Sequence, residues 1–399
     1  MKLTIERAAL LRALGHVQSV VERRNTIPIL SNVLLRGEDG RLALSATDMD
    51  IEIVARTPAQ GAKSGSTTAP AHTLYDIVRK LRDGAQIELD SSGDKGQLVL
   101  RSGRSTFTLA CLPPEDYPLM ATGDLAHAFT ITAVELKRLI DRTRFAISTE
   151  ETRYYLNGIY LHAAGSAKAA TLRGVATDGH RLAQIDLVQP KGASGMPGVI
   201  VPRKTVGEVQ RLIEDTEAEV AIELSAGKIR FTLGNVVLTS KLIDGTFPDY
   251  GRVIPQNNDK ELLVDKADFA AAVDRVSTIS SERGRAVKLS LSPGKLLLSV
   301  TNPDSGTATS PSSWDAISRR YRELKPISIG SASYSTSISS VALPESGLVT
   351  ESTSLPAESA SLTARPRSLE IVETRSTAAA KSALSTISSL SLFWGMTRP

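Results

Sequence analysis

Residues 174–181, Gly174-Val175-Ala176-Thr177-Asp178-Gly179-His180-Arg181, close an apolar strand on a polar corner, and two further stretches of the chain are built alike. Leu44-Ser45-Ala46-Thr47-Asp48 runs into Met49-Asp50, and Leu298-Ser299-Val300-Thr301-Asn302 runs into Pro303-Asp304. Working backwards from each corner, a strand precedes it: Ser31-Asn32-Val33-Leu34-Leu35, Asn157-Gly158-Ile159-Tyr160-Leu161 and Val287-Lys288-Leu289-Ser290-Leu291. Before each strand lies a helical pattern with apolar residues at three- and four-residue steps. These are Leu10, Leu14, Val17 and Val21; then Leu136, Leu139, Ile140, Thr143 and Ile147; then Phe269, Val273, Val276 and Ile279. Each helix is led in by a short strand, Leu3-Thr4-Ile5, Phe129-Thr130-Ile131 or Leu262-Leu263-Val264. The repeat period of about 130 residues is too long for a solenoid unit and right for a whole domain.

Outward in the other direction, the first two copies stay parallel. Pro70-Ala71-His72 opens a helix with Leu74, Ile77, Val78 and Leu81, and Pro202-Arg203-Lys204 opens one with Val206, Val209, Leu212 and Ile213. Proline suits a helix start because its missing N–H has no partner there. Gln86-Ile87-Glu88-Leu89 then matches Val220-Ala221-Ile222-Glu223-Leu224, and two more strands follow in both copies before Pro114-Glu115-Asp116-Tyr117 and Phe247-Pro248-Asp249-Tyr250. Each full copy therefore reads β-α-β-β-β followed by α-β-β-β, an α+β unit with antiparallel sheets packed outside helices. The expected division is residues 1–124, residues 125–257, a first half of a third copy at 258–305, and a Ser-rich segment at 306–399. In that last segment Ser331, Ser333, Ser335, Ser337, Ser339 and Ser340 crowd one window, and no Pro-initiated helix with alternating strands can be read. Its length is about that of a missing second half, the combination a shifted reading frame produces. A natural disordered tail is the other reading, against which stands its content of Leu, Ile and Val.

Composition removes several classes. A chain of 399 residues predicts about two to four domains, each able to bury a core. The single Cys111 forbids an intramolecular disulfide and any multi-thiolate metal site. Glu6, Arg7, Arg12, Glu22, Arg23 and Arg24 interrupt the apolar core a signal peptide needs, and no apolar run approaches the roughly 18 residues of a membrane span. A cytoplasmic protein is expected. With 47 Lys+Arg against 43 Asp+Glu, the net charge of +4 is too small to identify a partner, so placement matters more than the sum.

No phosphate-cradling glycine loop, His-Glu-x-x-His pattern or ligand-spaced cluster of His and carboxylates is present. Asp178 and His180 have the residue types for acid–base chemistry, but they sit at a strand corner. Catalysis, a structural corner and a binding surface are all open readings there. Cys111 follows the apolar strand Phe107-Thr108-Leu109-Ala110 and reads as a buried thiol rather than a nucleophile. Basic residues recur on five helices: Arg12, Arg23 and Arg24; Arg79, Lys80 and Arg82; Lys137, Arg138, Arg142 and Arg144; Arg203, Lys204 and Arg211; Lys266, Arg275, Arg283 and Arg285. If the helices face inward around an axis, these side chains meet one phosphate backbone without reading bases. The scarcity of aromatic residues argues against single-strand stacking.

The threefold repeat, the opening Met1-Lys2-Leu3-Thr4-Ile5-Glu6-Arg7, Pro28-Ile29-Leu30-Ser31-Asn32, Arg101-Ser102-Gly103-Arg104-Ser105, Arg153-Tyr154-Tyr155-Leu156-Asn157-Gly158, Ala176-Thr177-Asp178-Gly179-His180-Arg181-Leu182, Val201-Pro202-Arg203-Lys204 and Phe247-Pro248-Asp249-Tyr250 closely resemble the bacterial DNA sliding clamps, the beta subunits of DNA polymerase III. The resemblance runs from Met1 to about Asp304. It implies a non-catalytic processivity factor without cofactors. Such a factor is a head-to-tail homodimeric ring of repeated clamp domains, with helices lining a hole around double-stranded DNA and sheets outside. It implies a clamp loader, replicative and translesion polymerases as partners, and residence in the cytoplasm at the nucleoid.

Matched residue by residue, the resemblance puts Arg24, Arg104, Arg203 and Lys204 at DNA, with Arg104 alternatively at the ring interface beside Leu109 and Ile279. It puts Leu156, Thr177, Gly179, His180, Arg181, Leu182, Pro248, Arg252 and Val253 in the second-domain wall of a pocket for short hydrophobic peptides. Glu150 stands where the family often has Gln, and Gly284 where the third-domain part of the pocket has an aromatic residue. The family's C-terminal text is absent after Gly306. The expectation for this chain is two folded domains, poor ring closure and weak peptide binding, with a monomeric fragment or an enzyme using Asp178 and His180 as rival readings.

Overall fold

The computed structural model describes residues 1–23, 26–38, 40–91, 93, 96–120, 123–166, 169–213, 218–254, 266–280, 287–292, 295–313 and 360–362. The first copy runs β1 (Lys2–Glu6), α1 (Arg7–Val17), β2 (Asn32–Glu38), β3 (Arg41–Thr47), β4 (Ile51–Pro58), β5 (Gln60–Lys63), β6 (Gly65–Pro70), α2 (Ala71–Lys80), β7 (Gln86–Asp90), β8 (Gln97–Ser102) and β9 (Ser105–Ala110). The second runs β10 (His127–Thr132), α3 (Ala133–Thr143), β11 (Gly158–Ser166), β12 (Ala169–Thr177), β13 (Leu182–Val188), β14 (Val199–Pro202), α4 (Arg203–Leu212), β15 (Glu219–Leu224), β16 (Lys228–Leu233) and β17 (Val236–Lys241). The third supplies α5 (Lys266–Ser277), β18 (Lys288–Ser292), β19 (Lys295–Asn302) and β20 (Gly306–Ser313), and Ala360–Leu362 adds a short strand β21 beside β18. The expected leading strand Leu262-Leu263-Val264 lies outside the described residues.

The α+β reading holds, with one addition the sequence concealed. A strand stands before each second helix: β6 pairs with β2, and β14 with β11. In return the leading strands β1 and β10 pair with β7 and β15 of the second halves. Each half thus lends its first strand to the other, which ties both sheets of a copy together. β6 reads Gly65-Ser66-Thr67-Thr68-Ala69-Pro70, with no large apolar residue to alternate, yet Thr67, Thr68 and Ala69 are buried. Its ladder rather than its side chains holds it in place.

Helix boundaries follow local chemistry. Thr132 and Glu135 form a capping box on α3, each side chain accepting the other's backbone N–H at 3.2 Å. The end of α2 is closed from outside the helix, as Arg7 donates to the carbonyls of Val78 at 3.1 Å and Arg79 at 2.7 Å. Leu10 and Leu14 of α1 and Leu74 and Val78 of α2 are wholly buried, each worth roughly 1.5–3 kcal/mol of transfer free energy.

The first two copies share a sheet. Strand order β10-β15-β16-β17-β4-β3-β2-β6 is continuous through the antiparallel pair β17 and β4, in register from Ile51↔Ser240 to Ala55↔Val236. In the third copy Ala272, Val276, Leu296, Leu298 and Val300 form a buried cluster. The sequence placed the break at Gly306, but the ladder continues: β20 pairs with β19 from Asn302↔Gly306 to Lys295↔Ser313. Small residues at 306–313 hide that strand from a periodicity search. By contacts the chain divides into one unit of residues 1–144, 150–174 and 185–246, and another of 145–149, 175–184 and 247–399. No helix among the described residues is long and apolar enough to cross a membrane.

Candidate functional site

The first two corners are the same turn, and the third, with Pro303 in the middle, keeps only its Asx bond. In the first, Met49 N–H donates to Thr47 Oγ1 at 2.9 Å, while Asp48 Oδ1 accepts from Asp50 N at 2.9 Å and Ile51 N at 2.7 Å. In the second, Gly179 N–H donates to Thr177 Oγ1 at 3.1 Å, while Asp178 Oδ1 accepts from His180 N at 2.9 Å and Arg181 N at 3.0 Å. In the third, Asp304 N donates to Asn302 Oδ1 at 3.0 Å. The turn needs a positive φ at its middle in the first two copies, +77° at Met49 and +84° at Gly179. Glycine meets that without steric cost; methionine does not.

This geometry answers the acid–base question. Asp178 is spent on its own turn: Oδ1 takes two backbone N–H groups and Oδ2 takes Arg181 Nε at 3.0 Å. It bonds the backbone of His180 rather than its ring, so the pair is a corner brace and not a dyad. Cys111 is half-buried, and burial, only partly offset by hydrogen bonds from Thr67 and Leu98, pushes its thiol pKa up, away from nucleophilic use.

Around the second corner, Thr177 and Leu182 are buried, His180 is exposed at the tip, and the Arg181 guanidinium lies 5.6 Å from the Phe145 ring. Pro248, Arg252 and Val253 belong to the same compact unit as this corner. There Asp249 braces a short turn by accepting Gly251 N at 3.2 Å and Arg252 Nε at 2.8 Å, leaving Arg252 85% and Val253 41% exposed. Leu156 belongs to the other unit, buried at the end of the Tyr154–Leu156 turn. Glu150 is held by Arg153 at 2.6 and 2.9 Å. Gly284 lies outside the described residues.

The basic residues divide into two groups, where the sequence treated them as one. Arg211 is turned onto the end of α1, donating to the carbonyls of Gly15 at 2.8 Å and His16 at 2.7 Å and pairing with Glu208. Arg144 bonds Gln210, Arg79 pairs with Asp76 at 3.2 Å, and Arg275 bonds Ser310 at 3.1 Å. Lys204 pairs with Asp48 and, at 3.2 Å, with Glu22. By contrast, Arg12, Arg104 and Arg203 are exposed with no ion pair among the described residues, Arg203 at the first position of α4 and Arg104 in the β8–β9 turn. Arg24 lies outside the described residues. Leu109 is buried on β9, an edge strand, and Ile279 packs on the third-copy cluster with its carbonyl accepting Asn302 Nδ2 at 2.8 Å.

Sequence reading missed the residues that join the first two copies. Asn235 Nδ2 donates to Arg56 O at 2.6 Å, Lys241 pairs with Asp50 at 3.0 Å, and Glu208 accepts Ser19 Oγ at 2.6 Å. These pairs lie about 180 to 190 residues apart in the chain, and no local pattern links them.

Paired helices between strand-exchanged sheets in the first two copies, with a polar corner in each of the three, define the DNA-clamp fold. The comparisons agree. Models for the N-terminal, central and C-terminal domains of the DNA polymerase III beta subunit match residues 1–121, 130–249 and 251–328. The beta sliding clamp of Caulobacter vibrioides is 58% identical over 308 residues, which is 77% of this chain and 83% of that protein. Crystal structures of the sliding clamps of Bartonella birtlesii, bound to griselimycin, and Caulobacter crescentus are 54% and 56% identical. Both have a TM-score of 0.74 and cover 78% of this chain and 84% of theirs. The chain belongs to the DNA polymerase III beta subunit family, the bacterial beta sliding clamps. It is a processivity factor of the replicative polymerase, a non-catalytic subunit, and the enzyme reading of Asp178 and His180 is overturned.

Proposed function

We propose that the chain acts as a head-to-tail homodimeric ring around duplex DNA in the cytoplasm, at the nucleoid. In this reading Arg24, Arg104, Arg203 and Lys204 contact the phosphate backbone. Leu109 and Ile279, with Arg104 beside them, belong to the seam between subunits. The corner Thr177 to Leu182, together with Leu156, Pro248, Arg252 and Val253, receives short extended hydrophobic peptides from the clamp loader and from replicative and translesion polymerases. Apolar side chains supply the area, and the exposed polar tip fixes register. Tethering through that corner raises the effective concentration of a polymerase at its template without any chemistry of its own. The domain division at 124/125 and 257/258 goes with this reading.

The observation that carries it is the prefolded corner: Thr177 and Asp178 satisfy the turn internally, which leaves His180 and the surrounding surface open to a ligand. A fluorescent peptide of the extended hydrophobic kind should bind the full chain, and His180→Ala together with Arg181→Ala should weaken it at least tenfold. Unchanged binding in the double variant overturns the assignment. A monomeric form is the second reading, favoured because the match to the family's C-terminal domain ends at residue 328 of 399. Solution mass by light scattering decides between dimer and monomer.

A further inference from the structure

Lys204 sits where the DNA assignment wants a free cation, and it is not free. Its ammonium donates to Asp48 of the first corner and to Glu22 Oε1 at 3.2 Å, residues 156 and 182 positions away in the chain. The two carboxylates differ. Asp48 is fixed, with a side chain 11% exposed and its other oxygen holding two backbone N–H groups of the turn. Glu22 is 59% exposed and follows α1 on a loop. Lys204 itself is 42% exposed, so a phosphate can reach it. Burial works to lower its pKa, but Asp48 and then Glu22 outweigh burial and leave it raised. Arg203, the adjacent residue, has no such partner among the described residues.

We propose that Asp48 and Glu22 are positioning residues for Lys204: they hold its ammonium at the junction of the first two domains and compete with DNA phosphate for it, making Lys204 a switchable contact beside the standing contact Arg203. The proposal rests on the DNA reading given above. A standing cation adds a full increment of counterion release to DNA affinity, whereas one that must leave two carboxylates adds less. A protein that has to slide gains from contacts of the second kind. The acceptor is also specific to this corner. In the second copy the matching oxygen, Asp178 Oδ2, takes Arg181 three residues on; in the first, position 51 is Ile, and the oxygen is left for Lys204.

The test uses the full chain, a short blunt duplex and two readouts. Asp48→Asn keeps an oxygen for the turn but removes the charge, and Glu22→Gln is a milder version should the first variant fold poorly. Both should bind duplex more tightly at low salt, about threefold to tenfold, with the plot of log affinity against log salt steeper by up to about 0.9. Adding Lys204→Gln should abolish the gain. Asp50→Asn, which breaks the neighbouring Lys241 pair, should leave the slope unchanged. Independently, NMR of reductively methylated lysines should show the Lys204 titration moving down in Asp48→Asn. A Lys204 titration identical in wild type and Asp48→Asn, or a gain that survives Lys204→Gln, overturns the proposal. Absence of duplex binding by wild type and every variant at low salt overturns the DNA reading and the competition with it, whereas wild-type binding with unchanged slopes overturns the competition alone.

Discussion

The corners at Thr47–Glu52 and Thr177–Leu182 share a turn and diverge in everything it presents. Each has a threonine bracing the middle N–H and an aspartate taking the next two. Where the second copy has Gly179, His180, Arg181 and Leu182, the first has Met49, Asp50, Ile51 and Glu52. Arg181 satisfies Asp178 locally, which leaves that corner self-contained and its tip exposed. Ile51 cannot do so, and Asp48 and Asp50 reach instead to Lys204 and Lys241 of the next domain. Glu52 occupies the position of buried Leu182 and is itself buried. One turn, repeated, serves as an interdomain joint in the first copy and as a candidate ligand surface in the second, and four differences of residue separate the roles.

The largest expected effect comes from removing the shared brace. Thr177→Val strips Gly179 of its acceptor and the Arg181 carbonyl, 2.7 Å from Thr177 Oγ1, of its donor; the local cost should be about 2–3 kcal/mol, read as faster amide exchange at Gly179 and His180. Thr47→Val should cost less, about 1 kcal/mol, because the Thr47 hydroxyl makes a single turn contact among the described residues, to Met49 N. Equal losses in the two corners would show that the turn does not depend on the local network.

Next is Gly179→Ala. A side chain at φ +84° should destabilise the second corner by about 1–2 kcal/mol and weaken peptide binding in parallel. Binding that falls without any change in amide exchange would assign Gly179 to ligand contact rather than to shape.

Glu52→Gln tests the buried carboxylate. Burial raises its pKa above the usual 4.5, against smaller opposing effects of the Met120 N–H and of Arg230. A carboxyl group raised on folding contributes stability that is complete below its unfolded pKa and is lost as pH rises through its folded pKa. The glutamine variant should therefore melt higher than wild type at neutral pH, by a few degrees for about 1 kcal/mol, and the gap should close as pH falls below about 4.5. A gap that widens in acid would reverse the assignment.

The smallest effect is Met49→Gly, which relieves the positive φ at the cost of backbone freedom in the unfolded chain. The net gain should be about 0.5–1 kcal/mol in thermal unfolding. A loss would mean that the half-exposed Met49 side chain makes a stabilising contact greater than the strain.

The repeat was readable because strand and helix periods depend on side chains that face the core of their own copy. Leu10 and Leu14, or Leu136 and Leu139, recur at helical spacing whatever lies elsewhere in the chain, and all four are buried as that spacing requires. β6 and β20 escaped because Gly, Ser, Thr and Ala carry little hydropathy signal, and their pairing is fixed by the backbone of β2 and β19. The polar corner was readable as a corner at Asp178 and Asp48 alike. Its division of labour was not, since the partner of Asp48 is 156 residues away.

The amino-acid order by itself determined the family, the three copies, their α+β character and the positions of the turns, because each rests on contacts within a few residues or on spacing. Tertiary structure alone decided which cations stay exposed and which are consumed. Arg203 and Lys204 are neighbours in sequence and alike in charge, but only Lys204 meets carboxylates from another domain. Whether a charge is available depends on what the fold brings within a few ångströms of it, since the attraction between charges falls with distance and is weakened by the water between them.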